Sequence, residues 1–476
     1  MMQRLFLSIG ILAWDSKKKK TVKKELELFQ KLTTQLLHKE IDEPVIKPLQ
    51  ADSLWDKINI SLEEEAISEE EFEKVLSNII FNTPRTATNK FFNQLFGGRN
   101  PKATLGDLLA VVLNNSMYTY KVAGPQIGIE IEIIDRVCEI IKYPKQSGGT
   151  ITSGGSVSNM IAMLMARDKV CPEVRYQSYQ KPIFAYTSEA CHYSIKKNAA
   201  IIGIGTEQLR KIKTNEKGEI IPKELEKTIQ EDIKNNRKPF FINATAGTTV
   251  YGAFDPIEEI ASIAKKYDIW LHVDGAYCGS VIFSKKYKHL VKGLELADSF
   301  VFNAHKMIGT PLTCSILVTN DKKYLFDSLS VEADYLYQTD GDDFNLGKTS
   351  LQCGRRNNAL KFWTLWKSIG TKGLETIVDN QFMLADVAIN YVKNHPDYTF
   401  YSYDDSISIC FNYLNIPADK LCTLLYEYAE LVVGFGIIKG VTFVRLVTIN
   451  PSNTENDILD LFKTIEDFVK NNKNLF

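Results

Sequence analysis

Ser299-Phe300-Val301-Phe302-Asn303-Ala304-His305-Lys306-Met307 is a short apolar run followed by a polar turn with one lysine. Upstream, Leu271-His272-Val273-Asp274-Gly275-Ala276 is a second apolar run, which ends in an acid and two small residues. Runs of this kind alternate with amphipathic stretches from about residue 150 to residue 320. Because that alternation is typical of βα units, the sequence predicts an α/β fold with a mostly parallel central sheet.

The elements predicted around these two runs are short strands and one clear helix. The apolar segments 239–243, 269–273 and 299–302 are predicted strands, and the spacing of apolar residues in 257–267 predicts a helix. Segment 314–318 is predicted to turn back antiparallel.

Three regions of the chain differ in composition and pattern. Residues 1–80 are rich in lysine and glutamate and are predicted to form an N-terminal helical arm. Residues 81–353 form the predicted large α/β domain, and residues 354–476 a smaller C-terminal α+β domain. Outside the large domain, helical spacing occurs in 25–37, 70–80, 358–369 and 455–469.

The bulk composition argues against several kinds of partner. In 476 residues, 57 lysines and arginines balance 58 aspartates and glutamates, so no overall field favours nucleic acid or an anionic membrane. Eight scattered cysteines lack zinc-like spacing, which predicts a reducing cytoplasm and no metal site. The apolar run from Leu5 to Trp14 is too short to span a bilayer and lacks a cleavage site, so we expect a packed or frayed terminal segment.

Lys306 and Asp274 carry the clearest chemistry. A lysine directly after an apolar run has a partly buried stem, and desolvation lowers the pKa of its amine. An acid at the end of an apolar strand needs a cationic partner. An aldehyde cofactor with a basic ring nitrogen uses both groups, which points to pyridoxal 5′-phosphate. A solvated lysine and an acid paired with an arginine are the alternatives that each residue alone leaves open.

Two further segments combine small residues with hydroxyls. In residues 151–159, Gly155 and Ser156 precede a predicted helix at 160–166, and a helix N-terminus binds phosphate through free N–H groups. Thr249 follows the first predicted strand and is a candidate for a second phosphate or ring contact. An ordinary capping turn and a hydroxyl bonded to its own backbone are the competing interpretations.

Ala276 and His192 complete the candidate cofactor site. Ala276 shares a face with Asp274 if the strand continues, and it is small enough for a flat ring to lie against the backbone. His192 follows a predicted strand at 183–186 and is a candidate for stacking on the ring, although a lone histidine is more often structural.

Together these segments resemble the group II pyridoxal-phosphate decarboxylases, and most closely the branch of glutamate, aspartate and cysteine sulfinate decarboxylases. The resemblance covers roughly residues 80 to 470. The matching stretches, in the expected order, are Phe91-Phe92-Asn93-Gln94-Leu95, Thr187-Ser188-Glu189 with His192-Tyr193-Ser194-Ile195-Lys196-Lys197, NATAGTTVYGAFD at 243–255, His272-Val273-Asp274, His305-Lys306-Met307, Gln352-Cys353-Gly354-Arg355 and Phe443-Val444-Arg445.

By position, the resemblance implies catalytic roles for three residues: Lys306 binds pyridoxal 5′-phosphate covalently, Asp274 contacts the pyridine nitrogen and His192 stacks on the ring. It also implies an aminotransferase-like (fold type I) architecture and a homodimer with active sites at the subunit interface, in which the N-terminal arm wraps the partner. Further implied phosphate or ring contacts are Ala276, Gly155, Ser156, Thr249, Asn303 and His305.

The implied substrate is a small acidic L-amino acid that loses its α-carboxylate. Arg445 matches the family's substrate arginine, whose fork suits a distal carboxylate or sulfinate, and Gln94 is a second candidate contact. Ser116 and Tyr118 stand where glutamate decarboxylases have asparagine and phenylalanine, which resembles the aspartate and cysteine sulfinate type. We therefore predict aspartate or cysteine sulfinate (to β-alanine or hypotaurine) ahead of glutamate (to 4-aminobutyrate), although one methylene gives only about 1–3 kcal/mol of discrimination.

The mobile catalytic loop departs from the family. It lies between the matches at 335–338 and 352–355, is shorter than usual, and contains Phe344 but no tyrosine, whereas family members commonly use a loop tyrosine to return a proton. His192 or a residue of the partner subunit is the alternative donor. The altered loop leaves open a transaminase or aldehyde-forming outcome, and a non-catalytic dimeric regulatory relative is the remaining alternative.

A second departure lies directly beside Asp274. Gly275 and Tyr277 stand where family members frequently have alanine and tryptophan. We expect this change to alter packing around the ring while its anchors stay in place.

Overall fold

The computed structural model describes residues 23–331 and 342–476. The apolar run at 5–14 and the loop match at 335–338 lie outside these ranges. Across the described ranges, no helix combines the length and the apolar character needed to cross a membrane.

The first described elements are helices, as the spacing at 25–37 and 70–80 predicts. Residues 23–42 form α1, and α2 (Leu54–Lys57) and α3 (Glu69–Phe81) follow it. An ion pair from Lys24 to Glu69 (2.7 Å) joins α1 to α3. Because both side chains are largely exposed, water and salt screen this pair and it contributes little to stability.

Seven strands form the central sheet. They are β1 (Gly148–Thr152), β2 (Ile183–Ser188), β3 (Leu209–Ile212), β4 (Lys238–Thr245), β5 (Trp270–Gly275), β6 (Ser299–Asn303) and β7 (Ser315–Thr319). Their order is β1-β7-β6-β5-β4-β2-β3. β7 runs antiparallel to β1 and β6, and the remaining neighbours pair in parallel. The predicted mostly parallel sheet and the antiparallel return at 314–318 are confirmed.

Helices cover the sheet on both faces, which explains why β5 and β6 are buried along their whole length. The helix predicted at 257–267, α10 (Ile257–Lys266), packs through Ile257, Ile260 and Ile263, the apolar residues whose spacing predicts it. The helices of this region are α4 (Pro101–Leu113), α5 (Tyr120–Ala123), α6 (Pro125–Ile141), α7 (Gly155–Val170), α8 (Ser194–Ile201), α9 (Pro222–Lys234), α10 (Ile257–Lys266) and α11 (Lys323–Leu329).

The remaining chain forms a smaller α+β unit, as predicted. Its elements are α12 (Ala359–Asn394), β8 (Tyr398–Phe400), β9 (Ser408–Tyr413), α13 (Ala418–Glu427), β10 (Gly434–Ile438), β11 (Val441–Val447) and α14 (Glu455–Asn471). The four strands form an antiparallel sheet with the order β10-β11-β9-β8.

Two predicted helices have different bounds in the structure. The helix predicted at 358–369 continues to Asn394 beyond a kink at Gly370, whose φ of 68° and ψ of 177° suit only glycine. The helix predicted at 160–166 begins earlier, at Gly155. Gly155 and Ser156 are therefore part of the first helical turn of α7 rather than of a turn that precedes it.

Candidate active site

A cavity of about 240 Å³ lies where the parallel strands of the central sheet end. Thr245, Asp274 and Asn303 enter it from the carboxyl ends of β4, β5 and β6, because neighbouring parallel strands present these ends at one edge. The nine predicted cofactor contacts all line this cavity. They are Gly155, Ser156, His192, Thr249, Asp274, Ala276, Asn303, His305 and Lys306.

Lys306 is held in a tight turn directly after β6. Its amide N–H donates to the carbonyl of Asn303 (3.0 Å), and its carbonyl accepts from the amide of Gly309 (3.0 Å). Burial lowers the pKa of the Lys306 amine, an effect that the negative charge of Asp274 opposes. The lowered pKa increases the fraction of neutral amine, which is the nucleophilic form.

Asp274 is buried, and neutral groups hold its carboxylate. The Asn159 side-chain amide donates to one oxygen (2.8 Å), and the backbone N–H of Ala276 donates to the other (3.1 Å). Ala276 lies one residue beyond the end of β5, so the expected continuation of the strand is wrong; this hydrogen bond fixes its position instead. Within the described ranges no arginine pairs with Asp274, so its charge is available to a cationic ligand.

A buried chain of hydrogen bonds supports Asn159 from behind. The Asn159 amide oxygen lies 3.0 Å from His272 Nε2, and His272 Nδ1 lies 2.9 Å from the Ser299 hydroxyl. Burial lowers the pKa of His272 to about 4, so its imidazole is neutral at pH 7. His272 therefore orients Asn159 without adding a positive charge that would compete for Asp274.

His192 reaches the cavity from the turn before α8. The backbone N–H of Ser194 donates to His192 Nδ1 (3.3 Å), which places the proton of the neutral ring on Nε2. The ring of Tyr193 lies 4.2 Å from the ring of His192, between centroids. Burial lowers the pKa of His192, and the charge of Lys306 lowers it further while Asp274 raises it.

The first turn of α7 also lines the cavity. Its N-cap, Gly154, offers no side-chain cap, and the amides of Gly155 and Ser156 have no partner among the described residues. A Cβ atom on Gly155 would lie 2.8 Å from the Ala276 Cβ, so only glycine lets these segments approach so closely. Free N–H groups at the positive end of a helix dipole suit a phosphate.

An unpaired polar atom in the same wall also calls for a ligand. The amide oxygen of Asn303 is buried and has no hydrogen-bond partner among the described residues. A buried acceptor without a donor is unfavourable by about 1–3 kcal/mol, and a ligand that donates a hydrogen bond removes this penalty. The amine, the uncompensated carboxylate and the free amides thus fit an aldehyde cofactor with a basic ring and a phosphate.

Comparison with known proteins agrees with this chemistry. Residues 53–414 match the pyridoxal-dependent decarboxylase conserved domain. The chain belongs to the pyridoxal-dependent decarboxylase family. Pyridoxal 5′-phosphate is the cofactor of this decarboxylase, and the reaction class is that of a carboxy-lyase.

Similar proteins cover most of this decarboxylase. It is 34% identical to the acidic amino acid decarboxylase GADL1 of Xenopus tropicalis over 396 residues, which are 82% of this chain and 77% of the relative. It is 32% identical to the protein of the same name from Homo sapiens over 451 residues, 90% of this chain and 86% of that one. The crystal structure of mouse CSAD superposes with a TM-score of 0.86 at 29% identity, over 92% of this chain and 98% of the other. The predicted aminotransferase-like (fold type I) architecture is confirmed.

Arg445 does not itself line the decarboxylase cavity, but it contacts a residue that does. Its guanidinium donates to the carbonyl of Thr249 (3.0 Å), a lining residue, and to the carbonyl of Asn93 (2.7 Å). Its Nε is buried without a hydrogen-bond partner among the described residues. One N–H of the guanidinium is therefore still available to an anion.

The other predicted substrate contacts lie elsewhere in the chain. Gln94 lines a separate cavity of about 590 Å³ beside α13 and β10. The Ser116 hydroxyl accepts from the amide of Arg355 (3.0 Å), and the Tyr118 carbonyl accepts from the amide of Gly347 (2.9 Å). These three residues do not line the cavity of Lys306, so their roles at a site, including a partner's, stay predictions.

Six residues that also line or support the site have no role predicted from the sequence: Asn159, Tyr193, Thr245, Gly247, His272 and Tyr277. The signals were present but ambiguous. Asn159 lies four residues after Gly155, one turn along α7 and on the same face. Thr245 ends the strand that leads to Thr249, so a hydroxyl at a strand end was a usable signal.

Proposed function

We propose that this decarboxylase removes the α-carboxylate of a small acidic L-amino acid. The observation that carries the proposal is one cavity lined by Lys306, Asp274 and His192, with the guanidinium of Arg445 bonded to the Thr249 carbonyl in its wall. Curated relatives named acidic amino acid decarboxylase support this substrate class.

In the proposed mechanism, each side chain has a separate task. Lys306 binds the cofactor covalently through its amine, and Asp274 keeps a proton on the ring nitrogen. The first turn of α7 binds the phosphate. When bound, pyridoxal phosphate accepts into its ring the electron pair that is released as carbon dioxide leaves. His192, neutral because burial lowers its pKa, is the proposed donor of the proton that replaces the carboxylate, through Nε2.

Arg445 is the proposed group for the distal acid of the substrate. Two of its N–H groups already bond main-chain carbonyls, which fixes the plane of the guanidinium. The charge and the free Nε–H suit a carboxylate or sulfinate. With the serine and tyrosine at 116 and 118, this favours aspartate or cysteine sulfinate ahead of glutamate; the products would be β-alanine, hypotaurine and 4-aminobutyrate, respectively.

The chain is also proposed to act as a homodimer in the cytoplasm. Six apolar side chains of α4 are between 41% and 78% exposed, a large apolar surface for a monomer. All eight cysteines are free, which supports a reducing compartment. The exposed side chains of α4 are Leu105, Leu108, Leu109, Val111, Val112 and Leu113.

The deciding experiment measures carbon dioxide and amine from aspartate, cysteine sulfinate and glutamate in parallel, with the cofactor-loaded protein. We expect turnover of all or some of these acids, with the shorter acids ahead. Equal or better turnover of glutamate would contradict the preference, and no carbon dioxide from any of them would overturn the proposed function. Mass analysis of the product separates an amine from the aldehyde or keto acid that an altered loop would give.

A matched pair of lysine variants tests the covalent role. Lys306→Ala is expected to lose the visible absorption band of the bound cofactor and at least about a thousandfold of turnover, since no other amine replaces the nucleophile. Lys197→Ala, which removes an exposed lysine of α8, should keep both. A Lys306→Ala protein that retains the band would show that another residue holds the cofactor.

A further inference from the structure

One face of the small sheet carries three side chains that contact the large domain. Arg445 of β11 pairs with Cys410 of β9, and Ser408 lies two residues before Cys410 on the same strand. Because side chains alternate along a strand and directly paired residues share a face, Ser408, Cys410 and Arg445 point the same way. The face that holds the proposed substrate arginine therefore also holds Ser408.

Two of these side chains contact residues that line the cofactor cavity, and the third contacts the residue that follows Thr249. Besides the bond from Arg445 to Thr249, the Cys410 thiol lies 3.7 Å from the carbonyl of Val250. The hydroxyls of Ser408 and Tyr277 are 2.8 Å apart. Thr249 and Tyr277 both line the cavity, so two of the three contacts end on its wall.

Tyr277 connects the cavity to the small sheet through one polar atom. The residue is only 4% exposed; it lines the cavity, and its hydroxyl is hydrogen-bonded to that of Ser408. Burial raises the pKa of Tyr277, and the nearby charge of Arg445 opposes that rise. The Tyr277 hydroxyl and the Arg445 guanidinium thus belong to one electrostatic environment. A buried hydroxyl pair cannot exchange its partner for water, so its geometry is maintained.

We propose that the Tyr277–Ser408 hydrogen bond positions Arg445 relative to the cavity and so sets the length of the acidic side chain that is accepted. The inference rests on the proposed function, in which Arg445 binds the distal acid. Lys306 belongs to the large domain and Arg445 to the small sheet, so the span between the two ends of a bound amino acid is fixed by contacts that join these parts. Tyr277 is in this sense a positioning residue.

Ser408→Ala and Tyr277→Phe each delete one hydroxyl of the pair and keep the rest of the side chain. In the cofactor-loaded protein we expect the ratio of kcat/KM for aspartate over glutamate to fall about fivefold in each variant, a part of the roughly tenfold or more that a methylene is worth. The change should reside mainly in KM. The double variant should be no worse than either single one, since both remove the same interaction.

A binding measurement accompanies the kinetics. Succinate and glutarate differ by one methylene and carry no amine, so calorimetry gives the ratio of their dissociation constants without turnover. We expect this ratio to move toward one in Ser408→Ala, while the affinity for pyridoxal phosphate stays at the wild-type value. Tyr186→Phe is the matched control, because it deletes another buried hydroxyl, bonded to Asp232 at 2.9 Å in the large domain. It should leave both ratios unchanged.

The outcomes separate this inference from the proposed function. Unchanged ratios in both hydroxyl variants, in a protein that decarboxylates acidic amino acids, would overturn the positioning role alone. A wild-type protein that releases no carbon dioxide from either acid would refute the proposed function, and the dicarboxylate ratio would then decide the positioning role. Wild-type protein that binds neither dicarboxylate would overturn the inference as well.

Discussion

Asp274 is oriented by donors that carry no charge, although it is buried. The amide of Asn159, itself supported by neutral His272, and the backbone of Ala276 fix both carboxylate oxygens. A buried carboxylate that lacks a fixed cation is stabilised when a cationic ligand binds beside it. A carboxylate held in this way is placed to accept a hydrogen bond from a protonated ring nitrogen.

Burial of His272 makes the free energy of unfolding depend on pH. Its pKa is about 4 in the folded protein, against 6.5 for an ordinary histidine. Between these values the unfolded chain binds a proton that the folded protein does not, so the free energy of unfolding decreases as the pH falls through this window and levels off below pH 4. The loss from this residue is about 3 kcal/mol. Urea unfolding at pH 7, 5.5 and 4.5 measures it.

A comparison of two histidine variants isolates this contribution. His272→Asn is expected to have a shallower pH dependence than the wild type, whatever its absolute stability at pH 7. His289→Asn, at an exposed position, should keep the wild-type slope. Equal slopes in all three proteins would mean that His272 has nearly the same pKa in the folded and in the unfolded protein.

The variant Gly155→Ala tests whether the first turn of α7 holds the phosphate of the cofactor. Gly155→Ala places a Cβ 2.8 Å from the Ala276 Cβ and 3.3 Å from the Asn303 side-chain nitrogen, so one wall must shift. We expect the affinity for pyridoxal phosphate to fall at least about tenfold, the usual effect of disturbing a group that supports a bound ligand. Titration of the apoprotein by fluorescence measures it.

Gly128→Ala is the control for a helical glycine. A Cβ there meets no atom within 4 Å, and alanine in a helix interior is favoured over glycine by roughly 0.5–1 kcal/mol. This variant should bind the cofactor normally and unfold at a slightly higher temperature. If both variants bound the cofactor more weakly, the cause would be a change in helix stability and not a shift of the cavity wall.

At the level of single residues, the sequence predicts those whose type is restrictive. A lysine and an acid after apolar strands, and glycine at a helix start, have few functional interpretations, and Lys306, Asp274 and Gly155 all reach one cavity. Asn159 was not predicted because a buried amide serves many structural purposes. Its role depends on His272 and Asp274, both more than a hundred positions away, and no local pattern contains that information.

Helix α4 has one buried face and one exposed apolar face. Ala103, Gly106 and Ala110 are buried, and a Cβ on Gly106 would lie 2.9 Å from the Cα of Lys361 in α12, so the backbones are in close contact. The opposite face exposes leucines and valines to solvent. An apolar face of this size is typical of a subunit interface.

Charges on the exposed face of α4 test the proposed dimer. Leu109→Glu combined with Val112→Glu is expected to shift the protein to a monomer, because burial of two unpaired carboxylates weakens association by at least about tenfold. Sedimentation velocity measures the mass. Leu296→Glu, at a leucine of the large α/β unit that is 56% exposed, should remain dimeric. If the double variant keeps the mass of the wild-type protein, the dimer interface lies on another surface.

The elements that the sequence predicts well are those whose pattern is uninterrupted. Strands β4 to β7 and helix α10 follow directly from apolar runs of one period. α12 was predicted only as far as Ile369, because Gly370 interrupts the pattern. Leu374, Val378 and Phe382 resume it on the buried side of the second half, and burial of these side chains outweighs the glycine.

For the whole molecule, the two sheets and their order in the chain are predictable, but the contacts between them are not. The α/β pattern and the resemblance predict a large parallel sheet followed by a smaller α+β unit. The bonds from Arg445 to Thr249 and Asn93 join segments far apart in the chain, and main-chain carbonyls leave no trace in a sequence. For the same reason, the sequence does not predict that Ser116 and Tyr118 lie away from the cavity.

The antiparallel strand β7 has a consequence for synthesis of the protein. β1, which leads into the first turn of α7, lies at the edge of the large sheet and pairs with β7, so that Thr150 lies opposite Leu317. In a chain that is still on the ribosome, Gly155, Asp274 and Lys306 have already been synthesised when β7, the strand that pairs with β1, is not yet present. We therefore expect nascent chains that end before residue 319 to have no affinity for the cofactor, so that its capture follows the synthesis of β7.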